Sequence, residues 1–287
     1  MPTRVVEKTV GDYRIVGYSL AGEETTIALP ELNLCFDAGR APREIIAIDT
    51  LCLSHGHMDH AAGVPYYLSQ RVFVGTSPGK VVMHRGLIGA FERLMACWEE
   101  IEKHPSPAEF FGLTDGEELP LNRSLGLRAF DVNHAAYALG YSAIEKRHKL
   151  KPEYTDLAGP QLVELKKQGI AIQDNVDVPL VAYCGDSADG PYFDLDHVRN
   201  AKLLIMECTF FDNDHITRAK AGRHLHVREL PDILKRIHSP NILLTHVTRR
   251  TALGAAKRTL QKTISESDFD RITLLMDRPP KSARNLT

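Results

Sequence analysis

No apolar run in this chain reaches the roughly 18–20 residues that span a bilayer as a helix. The opening stretch MPTRVVEKTVGDYRIVGY lacks the continuous apolar core of a signal peptide. Neither a membrane protein nor an exported one is expected. Cysteine is sparse: Cys35, Cys52, Cys97, Cys184 and Cys208 are odd in number, far apart and without a CxxC. They read as reduced, mostly buried thiols of a cytoplasmic protein, with no disulfide framework. No internal repeat, low-complexity tract or Pro/Gly/Ser-rich linker marks a boundary, so residues 1–287 are expected to form one domain. An excess of positive charge is missing too. The 35 Lys and Arg against 37 Asp and Glu leave a net charge of −2, so a polyanionic partner has to be met by a local basic patch. At 43% hydrophobic and 25% charged residues the chain is globular, neither disordered nor fibrous.

Histidine is what the chain has in plenty: 13 residues, of which His55, His57 and His60 fall close together. Around them the patterning predicts strands at 13–20, 25–29, 32–37 and 45–53, a helix at 60–71, a strand at 71–75 and a helix at 80–103. The second half repeats the style. Strands are predicted at 127–132, 139–144, 178–183, 202–206, 241–244 and 271–276, with helices at 226–237 and 250–265. Strand-rich segments followed by mixed strands and helices suit two facing sheets covered by helices. The stretch 145–177, with Lys146, Arg147, Lys149 and Lys151 and a short helix at 160–168, reads as a basic excursion from that core, or equally as a solvated surface insertion.

The strongest feature is Ser54-His55-Gly56-His57-Met58-Asp59-His60, directly after an apolar strand. Histidine and carboxylate are good ligands for zinc-type metals. His55 and His57, two apart, point the same way in an extended segment. Asp59 and His60 can turn toward a second position, and two metals roughly 3.5–4 Å apart are the arrangement that hydrolyses phosphate esters. Further ligands have to come from elsewhere. His134, Asp186 and His246 each follow a predicted strand, where loops gather into a site, and Asp186 could give one oxygen to each metal.

These residues resemble the metallo-β-lactamase superfamily and, within it, short plant-type tRNase Z. The resemblance runs through Phe36-Asp37-Ala38-Gly39-Arg40, SHGHMDH, Asn133-His134, Gly140-Tyr141, Tyr183-Cys184-Gly185-Asp186-Ser187, Met206-Glu207-Cys208-Thr209-Phe210, 222–230 and Leu244-Thr245-His246-Val247-Thr248-Arg249. HxHxDH marks the superfamily; Glu207 and His224 match the Glu/His pair that this nuclease family adds. The resemblance implies an α/β fold, an αββα sandwich of two mixed sheets. It implies two zinc ions per subunit, His55, His57 and His134 on one, Asp59, His60 and His246 on the other, with Asp186 bridging. Asp59 would orient or deprotonate the attacking water, and His224, supported by Glu207, would protonate the leaving 3′-oxygen. The implied substrate is precursor tRNA. The implied assembly is a homodimer in which the arm of one subunit, here 145–177 with Lys146, Arg147, Lys149 and Lys151, holds tRNA for the other.

The chain also departs from the family. It lacks the Gly/Pro-rich arm of bacterial short enzymes, and after His246 it reads Val247-Thr248-Arg249-Arg250 where an aromatic-Ser run is more usual. His226 competes with His224 for the acid role. Arg249 and Arg250 face RNA phosphate or simply begin a solvated helix. His84, His104, His148, His197, His215 and His238 read as surface or capping residues, Asp37 as a support for the site or fold, and Cys208 as a buried thiol outside the chemistry. Two other functions fit parts of the pattern. One is a hydrolase of the same fold acting on a small phosphodiester, thioester or lactam. The other is a non-catalytic RNA-binding relative.

Overall fold

A computed structural model describes residues 5–76 and 78–277. The first sheet takes β1 (Val6–Val10), β2 (Tyr13–Ala21), β3 (Glu24–Leu29), β4 (Leu34–Phe36), β5 (Thr50–Cys52), β6 (Gly79–His84) and β7 (Ala108–Leu113), side by side in sequence order. It is antiparallel from β1 to β4 and parallel from β4 to β7. The remaining strands are β8 (Glu118–Pro120), β9 (Leu125–Asp131), β10 (Leu139–Leu150), β11 (Gln173–Tyr183), β12 (Leu203–Glu207), β13 (Asn241–Thr245), β14 (Val247–Thr248) and β15 (Ile272–Leu274). All but β14 form the second sheet, ordered β15-β13-β12-β11-β10-β9-β8, antiparallel up to β11 and parallel beyond it. At His246 the chain turns with φ +60° and crosses, so that β14 pairs with β2 of the first sheet.

Alternate side chains sort into layers because successive residues of a strand face opposite ways. Phe36, Leu127, Tyr141, Tyr183 and Ile205 fill the space between the sheets. Leu204 and Met206 face outward against Leu230, Ile233 and Leu260 of the covering helices. Leu51, Val81 and Met83 do the same against Val64, Leu68 and Phe91. The result is the four-layered α/β sandwich, and the carboxyl ends of its strands converge at one edge.

Several local expectations are corrected. Residues 71–75 are not a strand: they end the helix Val64–Phe73, whose Val64, Tyr67, Leu68 and Arg71 form one buried stripe. The Arg71 guanidinium is buried there and donates to the carbonyls of Ile46 and Ile48. The helix expected at 80–103 is only Ile88–Glu102; its first part is β6, an inner parallel strand buried on both faces, whose apolar run has no period-2 signature. The helix expected at 60–71 breaks at Gly63, where a Cβ would stand 2.5 Å from Ala41 N. The expected helix 226–237 is a 3-10 turn, Val227–Glu229, followed by Leu230–Leu234. Strands β7 and β8 lie outside every predicted strand. His215, expected at the surface or at a cap, is buried and stands at the N-cap of the helix Ile216–Gly222.

Candidate metal centre

The segment after β5 is fixed by one buried carboxylate. Asp37, just past β4 and itself at φ +57°, accepts the Ser54 N–H (2.7 Å), the Ser54 hydroxyl (2.8 Å) and the Tyr183 hydroxyl (2.6 Å). It also holds His60 Nδ1 at 2.7 Å. His55 and His57 then project from extended backbone, and His60 from the short helix Met58–Ala61 that His57 begins. His134 follows β9, Asp186 follows β11 and His246 sits at the crossover after β13.

These seven residues come together. His55, His57 and His134 bring one nitrogen each within 4.8 Å of one another, as do the ligand atoms of Asp59, His60 and His246. Asp186 lies between the two trios, its Oδ2 3.2 Å from His60 Nε2 and 3.1 Å from His246 Nε2. The residues fit a cation on a stricter test. Among the described residues, His55 Nε2, His60 Nε2 and His246 Nε2 are buried and make no well-aligned hydrogen bond, the last two facing only the Asp186 carboxylate at ion-pair distance. A buried polar atom without a partner costs roughly 1–3 kcal/mol, and three nitrogens turned into one space are the geometry of ligands. The opposite ring nitrogens are all occupied: His55 by Ser54 Oγ (3.0 Å), His60 by Asp37, His134 by the Arg223 carbonyl (3.2 Å), His246 by Thr209 Oγ1 (2.9 Å). Such outer partners fix the tautomer and aim of a metal-binding imidazole. His57 turns its Nδ1 instead, 3.4 Å from His134 Nε2.

Charge follows the same plan. Burial and the neighbouring imidazoles push His55 down to about 2, so it stays neutral, and burial lowers His134 as well. Burial opposes ionisation of Asp186, but His246 and His60 hold it well below the carboxylate range. Asp59 is lowered too, despite its burial, by His246 and His60.

Beside this cluster lies a second unit. Glu207, the last residue of β12 and fully buried, accepts His224 Nδ1–H at 2.7 Å and Ser187 N–H at 2.7 Å on Oε1. Its Oε2 accepts Leu225 N–H at 3.1 Å and the Thr209 hydroxyl at 2.5 Å. Burial lowers the pKa of His224, but the Glu207 charge and hydrogen bond outweigh it and leave the imidazole pushed up to about 9. The ring is 5.0 Å from that of His134 and 5.2 Å from that of His246, on the wall of a cleft also lined by His57, Asp59 and Asp186. His226 has no free nitrogen: Nε2 donates to the Asp212 carbonyl and Nδ1 accepts Arg228 N–H.

Sequence reasoning missed three residues here. Thr209 joins the two units, accepting from His246 and donating to Glu207. Arg223, left-handed at φ +53°, clamps His134 by donating from Nη1 to its carbonyl at 2.5 Å. Arg218 lines the cleft from the helix Ile216–Gly222, with no motif to announce it. Of the two arginines after His246, Arg250 lines the same cleft, whereas Arg249 pairs with Glu23 at 3.3 Å.

The stretch 145–177 does not join the cluster. β10 and β11 pair beyond the sheet as a two-stranded arm, past a register break near Ile144, and carry the exposed helix Gly159–Lys167. Its charge is balanced rather than basic: Glu145, Glu153, Asp156, Glu164, Asp174 and Asp177 match its six Lys and Arg. Lys146 is bound to Glu118 and Asp177, and Arg147 to Glu145.

A sandwich with this set of candidate ligands at one edge is the architecture of a hydrolase class, and the family model described as "Beta-lactamase superfamily domain" matches residues 28–247. The tRNase Z TRZ1 of Arabidopsis thaliana is 32% identical over 83% of this chain and 86% of its own length. The chloroplastic tRNase Z TRZ2 of the same plant is 33% identical over 83% and 68%. The crystal structure of human tRNase Z, short form, superposes with a TM-score of 0.58 at 17% identity, covering 82% of this chain and 92% of that one, which shows the shared fold. The chain belongs to the tRNase Z family of the β-lactamase superfamily. Membership implies a divalent metal, and the clusters of His55 to His246 are the residues that could hold it. Among the described residues no helix is long and apolar enough to cross a membrane.

Proposed function

We propose that this protein is a zinc-dependent endoribonuclease that removes the 3′ trailer from precursor tRNA. The observation that carries the reading is the Glu207–His224 pair standing against clusters of His and Asp that could hold metal. His55, His57 and His134 would hold one zinc, Asp59, His60 and His246 the other, with Asp186 between them; bound there, the metals supply Lewis acidity and activate a water. Asp59, whose Oδ2 accepts Gly22 N–H at 2.9 Å, would orient or deprotonate that water. As the water oxygen bonds to phosphorus the P–O3′ bond breaks, and His224 gives its proton to the departing oxygen. The tRNA is left with a 3′-hydroxyl and the trailer with a 5′-phosphate. Metal-loaded protein should therefore cleave a 3′-extended tRNA transcript as well as bis(p-nitrophenyl) phosphate. Cleavage of the small ester alone would point to a small-substrate hydrolase, and cleavage of neither to an RNA-binding relative.

Thr209 is a positioning residue in this scheme. Thr209→Val keeps the shape but leaves His246 Nδ1–H and Glu207 Oε2 each short of a partner in a buried site. We expect RNA cleavage to fall about 10–100-fold, as for other groups that aim a ligand, with recovery in Thr209→Ser. A Thr209→Val protein with unchanged kcat would dismiss the link.

The arm supports tRNA binding by its place, projecting from the sheet, and by Lys149 and Lys151, which enter no ion pair among the described residues. Lys146 and Arg147 contribute less, being held by their own acids. Replacing Lys149 and Lys151 with alanine should weaken tRNA binding and lower its logarithmic salt slope by about 0.9 for each phosphate that is no longer neutralised. Filter binding from low to high salt checks this; an unchanged slope removes the arm from the interface. A homodimer is supported by Tyr66, Phe73, Trp98 and Ile101, exposed apolar groups on the helices Val64–Phe73 and Ile88–Glu102. Five unpaired cysteines suit the reducing cytoplasm.

A further inference from the structure

Tyr137 is the residue that the site so far leaves unexplained. It follows the candidate ligand His134 by three positions, in the loop between β9 and β10. Its φ is +62°, a left-handed conformation that a bulky side chain disfavours. Yet the ring is not tucked away: the residue is 51% exposed. The ring is nonetheless held in place. His84 packs against it at a tilt, with centroids 4.8 Å apart and planes 33° apart, and His84 is itself locked, since its Nδ1 accepts Gly86 N–H at 2.9 Å. One side of the ring also comes close to Gly86, where an added Cβ would stand 2.6 Å from Tyr137 Cε1, so only glycine allows the approach. The next residue, Leu87, reaches back to the metal-binding loop, 3.7 Å from where a Cβ on Gly56 would be, between His55 and His57.

An aromatic residue held by His84 and Gly86 is thus left half exposed to solvent, three positions from a candidate ligand of the metal centre. A hydrophobic core has no use for such a ring, and loop strain held at a functional edge is a recurrent sign of a binding role. The ligand chemistry that suits it is a planar, unpaired nucleobase, because every base has a π-face and single strands are gripped by stacking together with cations along the backbone. Arg218 and Arg250, lining the cleft, are the cations. We propose that Tyr137, supported by His84 and Gly86, is a stacking platform for an unpaired base flanking the scissile phosphate. This rests on the ribonuclease reading above.

The test uses full-length metal-loaded protein, a 3′-extended tRNA with single abasic substitutions on each side of the cleavage point, and matching RNAs carrying 2-aminopurine, whose fluorescence is quenched on stacking. Tyr137→Asn, a residue tolerant of left-handed backbone, and Tyr137→Phe are compared with the unaltered protein. We expect Tyr137→Asn to raise KM about 5- to 150-fold, the range for losing one stacked base, with kcat little changed, and Tyr137→Phe to keep both. At one abasic position the unaltered enzyme should lose as much as Tyr137→Asn does, and the variant should lose no more. Quenching of 2-aminopurine at that position should vanish in Tyr137→Asn. Equal KM in Tyr137→Asn, or losses that simply add at every position, would overturn the platform. Tyr137-dependent quenching in a protein that cleaves no tRNA would keep the platform and overturn the ribonuclease.

Discussion

His57→Ala should take RNA cleavage to background and lower bound metal below two transition-metal ions per chain. His57 is the informative choice because its side chain is solvent-exposed, unlike the buried His55 and His60. Deleting it empties one ligand position without cutting a cavity into the core, so the metal-free variant should unfold within about 0.5 kcal/mol of the unaltered chain, as for other surface changes. Metal analysis by mass spectrometry and a denaturant titration in chelator separate the two effects. Full activity in a metal-free protein would end the metal reading altogether.

The second large effect belongs to His224. Its replacement by alanine should cost about 10²–10⁴-fold on RNA, the usual range for a lost general acid, and leave metal content intact. On bis(p-nitrophenyl) phosphate the loss should shrink, because nitrophenolate leaves without a proton. The pH profile supplies a separate check. A histidine raised to about 9 by Glu207 is protonated at neutral pH and loses its proton as pH climbs through that value. Cleavage of RNA should therefore fall on the alkaline side near pH 9, whereas hydrolysis of the nitrophenyl ester should not fall there. Equal losses on both substrates would assign His224 to the metals or the fold.

The layered sandwich is legible in the sequence because strands and helices bury residues at different periods, and because no linker interrupts the chain. The approximate positions of His134, Asp186 and His246 are legible for a related reason: each follows a short apolar strand, and strand ends converge in such a fold. Other features are hidden. The apolar run Val81–Met83 is a strand only because β5 and β7 flank it, and nothing local separates it from the start of a helix. Thr209 sits in plain view two residues beyond Glu207, but its value depends on His246, which a different strand brings to it. Arg218 and Tyr137 matter through position alone. The arm looks basic from Glu145–Lys151, where four of its bases lie, and only the acids spread along the rest of it restore the balance.

The candidate ligands are divided between the two sheets. His55, His57, Asp59 and His60 hang from the β5 edge of the first, His134 and Asp186 from the second, and His246 from the strand crossing between them. Metal bound by both sets acts as a removable staple. An unfolded chain offers no such set, so the free energy of metal binding adds to that of folding. At a free concentration 100 times the dissociation constant, the gain is about 2.7 kcal/mol for each independent site, a large fraction of the stability of an ordinary domain. Metal scarcity would then shorten the lifetime of the protein as well as silence it, and the supply of a trace element would set how much of this enzyme a cell can keep folded.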